Sequence, residues 1–126
     1  MILIFGGVYQ GKLSYALARF GLSMDEVYSC AGAGPAMPEG KMIIYGIDAW
    51  IYELVKAGAD IETEVQVFIS RNTGAVVISS DPSCGVVPAD ETLRLWREAT
   101  GRAMAELAGA SEEVVRLFCG IPTRLK

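Results

Sequence analysis

The chain opens with Met1-Ile-Leu-Ile-Phe5 and passes directly into Gly6-Gly-Val-Tyr-Gln-Gly11-Lys12-Leu13-Ser14. The short apolar run, β-branched at its ends, predicts a fully buried strand over Ile2–Phe5. Beyond the glycines, Leu13, Ala16, Leu17 and Phe20 recur on one face, which predicts a helix over Lys12–Phe20 with Gly21 as its stop. The pattern Gly-x4-Gly-Lys-Ser/Thr, which wraps backbone N–H groups around a phosphate, is met at Gly6, Gly11 and Lys12. Its hydroxyl position holds Leu13 instead. The alternative reading is an ordinary glycine turn leading into a helix.

Further strands and helices alternate after this opening. Glu26–Cys30 and Met42–Tyr45 read as the second and third strands, with a loop between them at Ala31–Gly40 that is rich in glycine and proline. Asp48 reads first as the N-cap of a helix over Ala49–Ala57, closed by Gly58. Ile61–Ser70 reads as a helix, and Ala75–Ser79 as the fourth strand. Asp81–Pro88 reads as an irregular loop. Asp90 caps a long helix to about Ala108, with Leu93, Trp96, Thr100, Ala103, Met104 and Leu107 as its buried stripe. Glu113–Cys119 reads as the fifth strand. Gly120–Pro122 then turns the chain into a short antiparallel edge strand at Thr123–Lys126.

This order predicts an α/β fold: a mostly parallel sheet with helices on both faces, P-loop NTPase-like, with an antiparallel C-terminal edge strand. Residues 1–126 read as one such domain. In such sheets ligands bind beyond the carboxyl ends of the strands. The loops at Gly6–Gly11, Ala31–Gly40, Gly46–Asp48 and Asp81–Pro88 are all predicted at that edge.

Composition narrows the chemistry. A net charge of -4, without a Lys/Arg cluster, argues against a nucleic-acid partner. No apolar run reaches the length of a membrane span, and Met1–Phe5 lacks the basic flank of a signal peptide. Cys30, Cys84 and Cys119 are odd in number and form no CxxC pair, as expected of reduced thiols in a cytoplasmic protein. The chain contains no histidine, which removes Ser-His and Cys-His nucleophiles, His-ligated metals and any intermediate carried on a histidine.

The candidate phosphate site comprises Gly6, Gly7, Val8, Tyr9, Gln10, Gly11, Lys12, Leu13 and Ser14, with Ala31 and Gly32 as further nucleotide contacts at the same edge. Lys12 would neutralise the outer phosphates. Leu13 cannot ligate Mg²⁺, and Ser14 lies about 100° further round the helix. Two carboxylates are available to complete a metal site. Asp81 follows the fourth strand, where it is also a natural turn former before Pro82. Asp48 is weighed as a helix cap ahead of a site carboxylate. Catalytic candidates are therefore Lys12 and Asp81, and metal candidates are Ser14 and Asp81.

Several stretches carry a family resemblance. Asp81-Pro-Ser-Cys-Gly85-Val-Val-Pro88, the helix with Ala99-Thr-Gly101-Arg102, and Gly120-Ile-Pro-Thr-Arg-Leu-Lys126 resemble the C-terminal half of the adenosylcobinamide kinase/adenosylcobinamide-phosphate guanylyltransferase family. The corresponding family stretches are Asn-Glu-Val-Gly-x-Gly-Ile-Val-Pro, Ala-Gly-Arg and Gly-(Ile/Leu)-Pro-x-Arg-Leu-Lys. The opening loop is similar to the family's Gly-Gly-Ala-Arg-Ser-Gly-Lys-Ser. Residues Ile43 to Trp50 resemble its Leu-Leu-Asp-Cys-Leu-Thr-x-Trp.

The resemblance implies Mg²⁺ with ATP or GTP, a corrinoid acceptor, a homo-oligomer (a trimer) and a place in cobalamin (vitamin B12) biosynthesis. The family phosphorylates adenosylcobinamide and then attaches GMP through a guanylylated histidine. This sequence departs from that pattern at the absent histidine, at Leu13 for the loop Ser, and at Tyr45 for the Asp that ends the third strand. Ser80-Asp81 stands for the family's Asn-Glu pair. The expected function is nucleotide binding with residual kinase activity and no histidine-dependent guanylyl transfer. The alternative is a non-catalytic relative that binds nucleotide or corrinoid, or serves as a structural partner.

Overall fold

Apolar strands too short to stand alone collect into one six-stranded sheet in the order β2-β3-β4-β1-β5-β6. The strands are β1 (Ile2–Gly6), β2 (Val27–Ser29), β3 (Ile43–Tyr45), β4 (Val76–Ser80), β5 (Glu113–Phe118) and β6 (Ile121–Arg124). The helices are α1 (Lys12–Phe20), α2 (Ile47–Lys56), α3 (Ile61–Arg71) and α4 (Glu91–Ala110). The computed structural model describes residues 1–7, 11–81 and 90–126. All pairings are parallel except that of β5 with β6. This is the predicted α/β architecture, with the glycine loop leaving a central strand.

Side-chain alternation divides the core between the two sheet faces. Ile4, Ile43, Val76, Ile78 and Val115 pack with Ala16 of α1 on one face. Leu3, Ile44, Val77 and Val114 pack on the other with Trp50, Ile51 and Leu54 of α2, Val65 and Phe68 of α3, and Ala103 and Leu107 of α4. Each Ile or Leu fully removed from water this way contributes about 1.5–3 kcal/mol relative to exposure. Strands buried on both faces must be apolar throughout, which is why β1 and β4 read as continuous runs rather than as alternating ones.

The local differences from the sequence reading have identifiable causes. Met24–Glu26 forms a single 3-10 turn, so β2 begins at Val27. Cys30 lies beyond β2, although its N–H still donates to Tyr45 O at 2.9 Å. Leu93 is exposed and leaves the buried stripe of α4. The C-terminal hairpin turns at Cys119 and Gly120, so β6 starts at Ile121, two residues earlier than expected. Both turn residues have positive φ (51° and 75°), as the right-handed twist of a two-residue hairpin demands.

Asp60 and Asp90 cap α3 and α4 by accepting from the N–H groups of Thr63 and Leu93. Asp48 does not cap α2. That position belongs to Gly46, whose φ of 81° is left-handed, and Asp48 falls inside the first turn. The expectation of Asp48 as a cap fails because the strand-to-helix turn is tight enough to need glycine two residues earlier.

Candidate functional site

β1 ends at Gly6 and α1 begins at Lys12, so the intervening loop leaves the carboxyl edge of the sheet beside β4. Gly6 is in register with Ser80, and Asp81 N–H donates to Gly6 O at 3.0 Å. A Cβ on Gly6 would stand 2.4 Å from the backbone oxygen of Leu117. Glycine is therefore needed there by the approach of β5, whatever the loop binds. Gly11 caps α1 with φ 80° and has open space around it, so backbone conformation rather than crowding selects glycine. Val8, Tyr9 and Gln10 lie outside the described residues.

Lys12 is the first residue of α1 and is buried, with 6% of its surface exposed. Its Nζ donates to Gly7 O at 2.7 Å. Burial lowers the pKa of the ammonium, and the charge of Asp48 opposes that fall. An ammonium taken out of water needs compensating partners. Here the bonded partner is the Gly7 carbonyl, and the charge of Asp48 acts on the ammonium from further off.

Asp48 is held in place from several directions. Its Oδ1 accepts from Ser80 N–H at 3.1 Å, directly beside the registered partner of Gly6. Burial raises the pKa of its carboxyl; the N–H of Ser80, its own N–H, the charge of Lys12 and the Ser79 hydroxyl oppose that rise. Its backbone oxygen accepts from Trp96 Nε1 at 2.8 Å, which ties the start of α2 to α4. Cys30 lies in the same neighbourhood; burial, aided by the charge of Asp48, pushes its thiol up to about 12.

Leu13 packs against the apolar cluster under α1, while Ser14 is exposed one step round the helix. Ala31 and Gly32 form an exposed turn after β2, with Ala33 N–H donating to Cys30 O at 3.2 Å. The loop that follows is tethered from below. Trp50 Nε1 donates to Pro35 O at 3.2 Å, and the buried Asn72 Nδ2 donates to Pro38 O at 3.1 Å and Phe68 O at 3.0 Å.

Asp81 lines a groove of about 430 Å³ on the α4 side of the sheet, together with Leu3, Phe5, Met104, Val114 and Leu125. The rest of the expected loop, Pro82–Pro88, lies outside the described residues. The structure thus brings Asp48 to the end of β4 beside Gly6, where its charge reaches Lys12, a placement that the sequence did not reveal. A signal for it was present: the third strand ends in Tyr45 where an acid was looked for, and an acid stands three residues on.

Among the described residues, no three His, Cys, Asp or Glu side chains gather into a metal cage. A half-buried carboxylate near the glycine loop fits Mg²⁺, which keeps several waters and is commonly held by one or two carboxylates plus substrate phosphates. No helix among the described residues is long and apolar enough to cross a membrane.

No curated protein matches the chain. The family model described as cobinamide kinase / cobinamide phosphate guanyltransferase matches residues 40–125. The match begins after the glycine loop, and takes in β3 through β6 together with Asp48, Trp50 and Asp81. Covering well over half of the sequence, it shows that this chain belongs to the cobinamide kinase / cobinamide phosphate guanyltransferase family.

Proposed function

We propose that this protein binds a nucleoside triphosphate, ATP or GTP with Mg²⁺, at its Gly6–Lys12 loop, and transfers a phosphoryl group to a corrinoid alcohol in cobalamin biosynthesis. The observation that carries this reading is the buried Lys12 ammonium, resting on Gly7 O at the carboxyl edge of the sheet. A buried ammonium is worth its desolvation at a site where an anion arrives to take it up. In the transfer, the acceptor oxygen bonds to the γ-phosphorus as the bridge to the β-phosphate breaks and the nucleoside diphosphate leaves. Phosphoryl transfer depends chiefly on positioning and charge neutralisation, which a lysine and a backbone cradle supply. Bound Mg²⁺ would add charge neutralisation on the phosphates.

Guanylyl transfer through a histidine is not available to this chain, which has none. Leu13 and Tyr45 favour a second reading, a relative that binds nucleotide without turning it over. Both side chains belong to the apolar cluster under α1 and not to a polar site.

Calorimetric titration with ATP and GTP, with and without Mg²⁺, followed by a phosphoryl-transfer assay on cobinamide, tests these readings. Turnover that disappears in Lys12→Ala supports the kinase. Binding without turnover supports the second reading. Absence of nucleotide binding at millimolar concentration refutes both.

A further inference from the structure

We infer that Asp48, in the first turn of α2, supplies the acidic group that orders Mg²⁺ at the nucleotide phosphates, in place of an acid at the end of the neighbouring strand. The inference rests on the nucleotide reading above and deepens it. Position 45, the last residue of β3, is a tyrosine packed against the apolar cluster of the α1 face. A phenol stands there in place of a carboxylate. Three residues later the chain has turned through Gly46 and begun α2, and Asp48 has returned to the carboxyl edge. There its Oδ1 accepts from Ser80 N–H at 3.1 Å, in line with the first glycine of the loop.

The arrangement has the properties of a positioning carboxylate. One oxygen is engaged by a fixed backbone donor, which sets the side chain's orientation. Lys12 lies at the same edge, its Nζ donating to Gly7 O at 2.7 Å, and the two charges act on each other. An arriving triphosphate would draw Lys12 off the Gly7 carbonyl and leave Asp48 to hold a cation or its water shell. Asp81, the other acidic candidate, lines the groove beside α4, and its N–H donates to Gly6 O at 3.0 Å.

The test is the Mg²⁺-dependent gain in nucleotide affinity, read by calorimetry without recourse to turnover. Asp48→Asn keeps an oxygen for Ser80 N–H, so the variant should fold, as checked by its melting temperature. Wild type should bind ATP or GTP more tightly with Mg²⁺ by on the order of tenfold or more, in the usual range for coupled ligands. Asp48→Asn should bind the metal-free nucleotide at least as well as wild type and lose most of that gain. Asp81→Asn should retain it. Persistence of the full gain in Asp48→Asn, or its loss in Asp81→Asn alone, would overturn the inference while leaving nucleotide binding intact. Failure of wild type to bind any nucleotide would overturn both.

Discussion

Replacing Gly6 by alanine separates a structural glycine from a phosphate-binding one. The new Cβ would lie 2.4 Å from Leu117 O, an atom of the backbone of β5, where ordinary contact begins near 3.4 Å. The end of β1 must therefore part from β5 by about 1 Å or twist out of the ladder. Overpacking of this kind costs about 1–3 kcal/mol. Weakening the bond from Asp81 N–H to Gly6 O adds about 0.5–1.5 kcal/mol. The total is about 1.5–4.5 kcal/mol, which for a chain of this size lowers the melting temperature by roughly 6–17 °C.

Thermal and urea unfolding followed by circular dichroism, without nucleotide, measure the effect. Gly11→Ala is the control: no atom lies within 4 Å of the new Cβ, and the strain is the left-handed backbone alone, about 1–2 kcal/mol. A Gly6→Ala protein melting within about 2 °C of wild type, or shifted less than Gly11→Ala, would refute the reasoning. The glycine would then belong to the ligand and not to the fold.

Two further outcomes follow from the charges and thiols. Cys30, almost fully buried and with its thiol pushed up to about 12, should resist alkylation at pH 8 until the protein unfolds, whereas exposed Cys119 should react in the native state. Peptide mapping after a timed iodoacetamide pulse reads this directly, and early modification of Cys30 would contradict the packing at the end of β2. Arg19 grips Glu113 through both carboxylate oxygens, with Nη2 to Oε1 at 2.8 Å, and holds its carboxyl below the usual range. A carboxyl depressed on folding stabilises the protein above its unfolded value, and the benefit is lost as the pH falls through the folded one. Glu113→Gln should therefore cost up to about 1 kcal/mol at pH 7, with the difference from wild type closing below about pH 4. An equal gap at pH 3 and pH 7 in urea titrations would show that the pair's contribution is packing and not charge.

Much of the fold could be read from local pattern. Ile2–Phe5 and the Val76–Ile78 run are apolar throughout because both faces of a central strand are covered. The caps at Asp60 and Asp90 precede helices whose first turns need acceptors, and Asp90 was identified from the sequence alone. The family resemblance also stood on residues, above all the Gly120–Lys126 ending, and the family match covers that region. Less was readable where one residue type serves two ends. Aspartate before a helical pattern signals a cap, and only the left-handed turn at Gly46 removed Asp48 from that role. Gly6 matched a phosphate-loop pattern, yet its spatial constraint comes from Leu117, far along the chain.

The sequence by itself determined that a buried strand feeds a glycine loop and a helix, that strands and helices alternate, and that no histidine chemistry is open to this chain. These follow from periodicity, backbone freedom and the inventory of side chains, all of them local or countable. Tertiary structure alone decided that Lys12 is buried, that Asp48 reaches the end of β4, and that Asp81 lines the groove beside α4. Those relations depend on the order β3-β4-β1, which brings residues from separate segments to one edge of the sheet. They are properties of register and burial across strands distant in sequence, and no window along the chain contains them.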